Sequence, residues 1–406
     1  MASTSAKRGE ATTGDVAQAS TRAFARPWQI LCGLLISGFL LALPGSLLPL
    51  WGYHLHPEFG TAGNYFLALG LGMIGGGALA QRWSRRLSLE QLLAAGCLIG
   101  ALALLMLSVA APPAQVWYQA IALLVTGVSA GVVNTAVLES MTSCYESNPA
   151  TITLSGGIFF GAGSILASFL LAQSFEGESA TRLLAIAALI PGGAAVFFAC
   201  LRIERSPVSE VSIPQAMRDL RSGLAILFAL LLFFQFANEW SIAGWLPVFL
   251  IDRLGVSPST AVTLLALYWA ALTVGRIVAS RLLAVVPHWR LLWASAFCAL
   301  FGCGLLLAAG SRFGVIVGLL LAGAGFSAIY PLAAERIASR FTYYHPGYFN
   351  GIFTFALMGG ILAPFALGHL AAGYGLRVVP LSAMAGSCAV FALVLLIWLG
   401  RKVSGH

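Results

Sequence analysis

The chain has 406 residues, of which 59% are hydrophobic and only 9% are charged. Because about a quarter of the residues in an ordinary soluble domain are charged, this composition excludes a soluble globular protein and indicates one embedded in a lipid bilayer. The net charge of +8 is attributed to membrane topology and to contact with anionic lipid headgroups, and no nucleic-acid partner is expected.

The predicted elements are a polar N-terminal tail followed by twelve transmembrane helices. Residues 1–26 are rich in Ser, Thr and Ala and are expected to be a disordered cytoplasmic tail. Windows of about 20 apolar residues, the length that crosses a bilayer as a helix, predict the spans. In chain order these are 28–50, 62–81, 90–111, 116–138, 152–173, 182–201, 223–247, 259–282, 290–309, 313–333, 348–371 and 378–400.

The spans are predicted to form two bundles with both chain termini in the cytoplasm. The expected domains are an N-terminal six-helix bundle at 27–202, a cytoplasmic linker at 203–221 and a C-terminal six-helix bundle at 222–401. With the N-terminus inside, every Lys and Arg falls on the cytoplasmic side except Arg182, Arg253, Arg312 and Arg377. The positive-inside rule supports that orientation. Arg276 is included in the cytoplasmic set.

The second half of the chain repeats the first at a nearly constant offset of 196 to 199 residues. The matched positions are 48–51 with 246–249, 80–82 with 279–281, Gly127 with Gly323, Asn134 with Tyr330, Glu139 with Glu335, and 164–169 with 360–365. Six spans per half give a parallel repeat, so the fold class expected is an all-α membrane protein of two pseudo-symmetric six-helix bundles. Such transporters rock their halves around a site near the middle of the membrane.

Several motifs resemble those of a known transporter family. Residues 77–86, GALAQRWSRR, resemble the signature between spans 2 and 3 of the major facilitator superfamily, with Gln81 where an Asp is usual. Asn-Glu-Trp at 238–240, Trp-Leu-Pro at 245–247, Gly-Arg at 275–276, and the segments 323–331 and 358–364 resemble its fucose, glucose and galactose proton-symporter branch. The resemblance covers both halves and implies alternating access and proton symport of a sugar. Span 1 has no acid between residues 33 and 50, where fucose permeases carry one.

Glu239 is the most informative single residue, because it lies inside predicted span 7. A carboxylate at membrane depth costs about 2.5 to 3.5 kcal/mol, so it is kept where it faces a cavity, a partner or a substrate. At ~1.5 Å per residue it is expected on the outer side of the membrane midplane. Amides, a carboxylate and an indole suit a sugar, and the ligands predicted here are Gln235, Asn238, Glu239 and Trp240, the first three on one helix face.

Glu239 is also the predicted proton-coupling residue. The alternative is a structural hydrogen bond that fixes a kink before Pro247. Further substrate-binding candidates are Asn134 and its repeat partner Tyr330 on cavity-lining helices, followed by Tyr268, Trp269 and Asn350. Each of these has a structural alternative, since a buried Asn can bond between helices and aromatic residues pack in any core.

Two other acids are expected at the cytoplasmic rim, where the acids and the loop arginines form a predicted cytoplasmic gate. Its members are Glu139, Glu335, Arg82, Arg85 and Arg281, and carboxylate–guanidinium pairs among them would close the cytoplasmic side in the outward-facing state. The alternatives are that Glu139 and Glu335 are solvated rim charges or that they take part in substrate or proton chemistry. Asn64 and Tyr65 open span 2 at the outer rim and fit either an external gate or an interfacial anchor.

No catalytic or metal-binding motif is found. A GxxxxGK[ST] phosphate loop, a CxxC pair and a Ser, His and acid grouping are all absent from the sequence, so we expect no enzymatic activity, cofactor or metal. The function expected is proton-coupled transport of a monosaccharide or similar polar solute by a monomer in a bacterial plasma membrane. The alternatives are efflux of amphipathic compounds, sugar uniport and a membrane sensor, and the solute, protons and lipid are the partners expected.

Overall fold

The computed structural model describes residues 25–110, 114–141, 144, 148–175, 179–203, 223–308, 310–340 and 351–403. Within these ranges the regular elements are helices, and they form twelve spans long and apolar enough to cross a membrane. The all-α fold class and the number of spans are therefore confirmed. The predicted tail, apart from residues 25 and 26, and the predicted linker, apart from residue 203, lie outside the described residues.

The spans are numbered in chain order. Spans 1 to 6 are Pro27–Leu41 with Leu43–Leu50, Phe59–Trp83, Leu89–Val109, Val116–Ser140, Pro149–Ala172 with the 3-10 turn Gln173–Phe175, and Ala180–Ala187 with Leu189–Ala199. Spans 7 to 12 are Gly223–Leu254, Pro258–Leu282, His288–Ala308, Arg312–Arg340, Gly351–Tyr374 and Val378–Val403. Spans 1 and 6 are interrupted just before Pro44 and Pro191, because a proline has no N–H for the helical hydrogen bond.

Spans 5 and 8 begin with the same local device. Asn148 and Ser257 cap these helices by accepting hydrogen bonds from the backbone N–H groups of Thr151 and Thr260, each at 3.2 Å. A proline follows each cap at the first helical position, where its fixed φ favours the helix and its missing N–H costs nothing. These two capped helices, one from each half, pack against each other.

The helix packing has the symmetry that the repeat predicts. In the first half span 1 packs on span 5 and span 2 on span 4, and in the second half span 7 packs on span 11 and span 8 on span 10. Two large contacts join the halves, span 5 with span 8 and span 2 with span 11. A two-fold operation that exchanges the halves also exchanges these two contacts, so the space between the halves lies on the pseudo-symmetry axis.

Span 7 is longer than predicted. The sequence analysis ended it at residue 247, but the helix continues to Leu254 with Pro247 inside it. A proline is tolerated within a membrane helix because neighbouring groups and local adjustments of the helix satisfy the carbonyl that it frees. Glu239 consequently lies at the middle of this 32-residue helix, and its depth relative to the membrane midplane stays a prediction.

The two halves are in close contact at the end of the bundle opposite the termini, here called the outer end. Gly63 of span 2 packs on Gly368 of span 11 so closely that a Cβ on Gly63 would lie 2.7 Å from the carbonyl oxygen of Phe365. Beside this contact His369 Nε2 lies 3.2 Å from Asn64 Oδ1. Asn64 thus reaches the other half, whereas Tyr65 bonds to Tyr53 and Gln119 within its own half. A gating role for either residue stays a prediction.

We expect Gly63→Ala to destabilise the closed outer end by about 1 to 3 kcal/mol, the usual cost of overpacking. Spin labels at the exposed positions His56 and Tyr374, introduced as cysteines, should then report a longer mean distance. Gly75→Ala is the matched control, because Gly75 lies in the same helix with nothing within 4 Å of its Cβ position. Identical distance distributions for the two variants would contradict this prediction.

Candidate functional site

A cavity of about 240 Å³ lies between the two halves at mid-depth. Its second-half wall is formed by Phe236, Glu239 and Trp240 of span 7, Arg276 of span 8, Tyr330 of span 10 and Leu357 of span 11. The first-half wall includes Leu34, Leu41, Met73, Asn134 and Phe160. The lining continues through Leu31, Met141 and Ile152, which lie near the end of the bundle that carries the termini, here called the terminal end.

The centre of the cavity wall is an ion pair between Glu239 and Arg276. Arg276 Nη2 donates to Glu239 Oε1 at 3.2 Å. The side chain of Arg276 is only 8% exposed and that of Glu239 only 7%. Gln235 Nε2 lies 3.5 Å from the other carboxylate oxygen and donates to the carbonyl of Phe326 at 3.1 Å. Each charge therefore has a partner, which is the condition under which buried charges persist.

Arg276 also bonds to the other half of the protein. Its Nη1 donates to the backbone carbonyl of Gly157 in span 5 at 2.7 Å. The guanidinium thus connects span 7, span 8 and span 5. An arginine provides five N–H donors in a rigid fork, so it can serve two acceptors in one plane.

The assignment of Arg276 to the cytoplasmic surface is wrong. Arg276 is 6% exposed and lies within the helix Pro258–Leu282. The available signal was its position six residues before the end of predicted span 8, because an arginine inside a span faces the bundle interior and has a partner. The topology count assigned each arginine to one side of the membrane and ignored how deep it lies within its span, so the buried position of Arg276 was missed.

Aromatic rings form the wall beside the ion pair. Trp240 contacts Phe160 and Trp269 edge to face, with ring centroids 6.0 and 6.4 Å apart. Trp269 and Tyr268 are fully buried and stand behind the cavity wall, since neither is among its lining residues. Of the predicted aromatic ligands, Trp240 and Tyr330 line the cavity, and Trp269 packs behind Trp240.

Asn134 and Tyr330 line the cavity from opposite halves. Asn134 Oδ1 is buried and has no hydrogen-bonding partner in the described protein. The ring of Tyr330 packs on Phe236 and Phe353, with centroids 5.1 and 5.7 Å away. A ligand role for either residue stays a prediction, and Asn350 lies outside the described residues.

Two of the predicted ligands in span 7 are not among the residues that line the cavity. Asn238 Nδ2 donates a hydrogen bond to Ser387 Oγ of span 12 at 3.3 Å. Gln235 Nε2 donates to the backbone carbonyl of Phe326 in span 10. The expectation that Asn238 shares a face with Glu239 is wrong, because adjacent residues on a helix point in directions about 100° apart. Gln235, four residues before Glu239, does share its face and orients the carboxylate.

The predicted gate residues lie at the terminal end. Glu335 Oε1 is 2.8 Å from His288 Nδ1, which belongs to the same half, so its partner here is a histidine and not a predicted arginine. Glu139 is half-buried, and Arg82, Arg85 and Arg281 are exposed. The cavity reaches this end in the present arrangement, so the pairing of these residues in an outward-facing arrangement stays a prediction.

The chain was compared with known protein families and curated proteins. The family model described as Major Facilitator Superfamily matches residues 3–168 and 147–358. A protein of Sinorhizobium fredii described as uncharacterized transporter y4wD is 26% identical over 363 residues, 87% of this chain and 93% of that protein. An uncharacterized MFS-type transporter of Yersinia pestis is 26% identical over 149 residues, 37% of this chain and only 39% of that protein's length.

Solved structures show the same architecture. The nucleoside transporter NupG superposes with a TM-score of 0.70 at 14% identity, covering 91% of this chain and 99% of its own. The fucose:proton symporter FucP of E. coli gives 0.62 at 18% identity, covering 91% of this chain and 98% of its own. At these identities the comparison establishes the fold alone.

We predict unequal effects from removing the two charges of the ion pair. Glu239→Gln leaves a guanidinium that cannot lose its proton, and a broken buried pair costs about 3 to 5 kcal/mol. Arg276→Gln should cost less, because the remaining carboxyl group can become neutral by binding a proton. The double variant should be the least destabilised of the three. Thermal unfolding of the purified proteins measures this order, and equal losses for all three would contradict it.

Proposed function

Because the chain belongs to the Major Facilitator Superfamily, and so is a multi-pass membrane transporter and not an enzyme, we propose a specific transport function for it. The protein carries a small, net-neutral, hydroxylated solute such as a monosaccharide across a bacterial plasma membrane by proton-coupled alternating access. It works as a monomer with both termini in the cytoplasm.

The observation that carries the proposal is the charge balance of the cavity. Among the described lining residues, Glu239 and Arg276 are the charged ones, and they neutralise each other at 3.2 Å. A solute with a net charge would bring an uncompensated charge to mid-membrane depth, which is costly. A hydroxyl group can accept from the guanidinium and donate to the carboxylate, so a polyol can insert into the pair without unbalancing it.

The shape and composition of the cavity support the same solute class. Its volume of about 240 Å³ is below the ~300 to 1,000 Å³ of pockets that hold drug-sized ligands. Trp240 and Phe160 offer an aromatic face to the apolar side of a sugar ring, and Asn134 and Tyr330 offer polar groups from both halves. The similar solved structures carry the names of a fucose:proton symporter and a nucleoside transporter, which is consistent with a hydroxylated solute.

The transport cycle follows from the cavity and the orientation rule. The basic end of the bundle is cytoplasmic by the positive-inside rule, so a cavity that reaches the terminal end faces inward while the outer end is closed. Proton coupling is assigned to Glu239, the acidic residue among the described cavity-lining residues. In the proposed cycle Glu239 releases its proton as the solute leaves, which restores the neutral pair with Arg276 in the empty cavity.

A second candidate function is export of small neutral amphiphiles. It is favoured by the lining itself, because most of the described wall is Leu, Val, Ile, Met and aromatic side chains. Cationic amphiphiles are disfavoured by the same charge balance that favours sugars.

We expect Glu239→Gln to abolish pH-driven solute accumulation in proteoliposomes and to leave solute exchange partly intact, because exchange needs no net proton movement. Asp252→Asn is the control, since Asp252 is an exposed acid near the end of the same helix. Accumulation is measured with a radiolabelled solute under an imposed pH gradient. Uphill uptake that survives in Glu239→Gln would remove the coupling role from this residue.

The class of solute that the protein binds can be identified from the change in its melting temperature, Tm, when a ligand is added. A ligand that binds only the folded protein stabilises it by about 2.7 kcal/mol at a concentration 100 times its Kd. We expect a higher Tm with neutral monosaccharides and no change with cationic dyes or sugar phosphates, and Trp240→Ala should reduce the shift. A shift with neutral amphiphiles and none with sugars would favour the second candidate, and a shift with dyes alone would contradict both.

A further inference from the structure

A second pocket lies at the terminal end of the first half, apart from the cavity between the halves. Its volume is about 570 Å³, and it shares no described lining residue with that cavity. It is formed by the end of span 2 and the turn that leads to span 3. The described lining residues are Ala78, Gln81, Arg82, Trp83, Arg85 and Arg86. The segment 78–86 therefore supplies three guanidinium groups and no acid.

The three arginines lack an anionic partner within the described part of the chain. There, neither a hydrogen bond nor an ion pair is formed by the side chain of Arg82, Arg85 or Arg86. Residues 59–89 contain no acid, and the next residue, Glu90, is not among the described lining residues. Like charges held this close repel each other, so an anion that binds between them lowers the free energy of the pocket.

The second half contains the same turn, at the offset of 199 residues that the repeat has after spans 2 and 8. In the first half the backbone N–H groups of Arg86 and Leu87 both donate to the carbonyl of Trp83. The same two bonds recur 199 residues later, where they converge on the carbonyl of Leu282. The two halves thus leave spans 2 and 8 with one backbone conformation.

This turn does not need the extra arginines. Ala284 and Val285 occupy in the second half the positions that Arg85 and Arg86 occupy in the first, and the backbone bonds are the same. Folding of the turn therefore does not explain the two guanidinium groups. Binding of an anion explains them, because it needs positive charge and not a particular backbone.

Two features place the pocket at the level of the lipid headgroups. Trp83 is a half-buried lining residue, and tryptophan is enriched where membrane helices leave the hydrocarbon. Val285, which corresponds to Arg86 in the repeat, is 76% exposed, which fits a surface in contact with lipid. An arginine at this depth can lay its methylene groups along apolar surface and hold its guanidinium among the headgroups.

The donors of the pocket suit a phosphate group. A guanidinium offers paired N–H donors that match two phosphate oxygens, and three guanidinium groups suit a ligand with several anionic oxygens. Gln81 adds a neutral amide that can bond to a hydroxyl or an ester oxygen beside the phosphate. The volume of about 570 Å³ leaves room for the glycerol part of a headgroup. A soluble phosphate ester shares this chemistry, but the depth of the pocket favours a lipid.

We propose that this pocket binds the phosphodiester headgroup of an anionic phospholipid, such as phosphatidylglycerol, through Arg82, Arg85 and Arg86. The positive-inside rule places the site in the cytoplasmic leaflet. One pocket with three named side chains holds one headgroup, which is more specific than the general attraction between a basic surface and an anionic membrane. The site is separate from the solute cavity, so it depends neither on the solute nor on proton coupling.

The test counts the lipids that remain bound to the full-length protein. The protein is purified in a neutral detergent and titrated with phosphatidylglycerol or phosphatidylcholine, and the complexes are counted by native mass spectrometry. We expect the first phosphatidylglycerol to bind about tenfold more tightly, because the choline cation of phosphatidylcholine would lie among three arginines. Glycerol 3-phosphate and inorganic phosphate, titrated by calorimetry, should show no saturable binding.

A variant that copies the second-half turn tests the arginines themselves. Arg85→Ala with Arg86→Val has the residues with which the other half builds this turn, so it should fold, and we expect it to bind phosphatidylglycerol about tenfold more weakly. Arg253→Ala with Arg377→Ala is the matched control, because it removes the same charge from exposed positions at the outer end. The control should bind the lipid like the unchanged protein.

If the Ala and Val variant does not fold, Arg85→Gln with Arg86→Gln keeps long polar side chains and should show the same loss. Equal affinity for phosphatidylglycerol in the unchanged protein and in these variants would overturn the proposal, and so would equal affinity for the two lipids. Arginine-dependent binding of glycerol 3-phosphate without a preference for phosphatidylglycerol would overturn the assignment to a lipid. No transported solute is needed, so failure here would leave the proposed transport function unaffected.

Discussion

The structure depends on one constraint: two opposite charges are buried between the spans, and each is stabilised by the other. Glu239 and Arg276 come from neighbouring spans and meet at 3.2 Å. Neighbouring groups form hydrogen bonds with both members of the pair: Gln235 donates to the carboxylate, and the Gly157 carbonyl accepts from the guanidinium. Because breaking a buried pair costs more than removing it, any event that neutralises one member changes the environment of the other.

The two contacts between the halves differ in kind. At the outer end Gly63 and Gly368 bring two backbones together beside the hydrogen bond between His369 and Asn64, whereas spans 5 and 8 are joined partly by the bond from Arg276 to Gly157. The first contact includes close backbone packing, and the second includes a charged hydrogen-bond donor. A rocking transporter needs interfaces with two stable arrangements, and this difference offers a physical way to favour one arrangement over the other.

Much of the site was predictable because membrane depth makes polar residues conspicuous. Glu239 could be singled out by its cost in lipid, and the internal repeat pointed to Asn134 and Tyr330, which the structure places at the cavity. The sequence analysis placed Asn238 on the same helix face as Glu239, but its side chain bonds to Ser387 of span 12. Arg276 was missed because the topology count treats arginines as surface residues, and the partner of Glu335 proved to be His288.

The sequence by itself determined the twelve spans, the two-fold organisation and the acid that must be buried. These follow from local quantities, namely apolar length, periodic repetition and the cost of a charge in lipid. Only the tertiary structure decided which side chains face the cavity, which basic residue neutralises Glu239 and which carbonyl of the other half that residue reaches. Such contacts join residues as far apart in the chain as Gly157 and Arg276, and they depend on helix rotation and depth, which hydropathy does not encode.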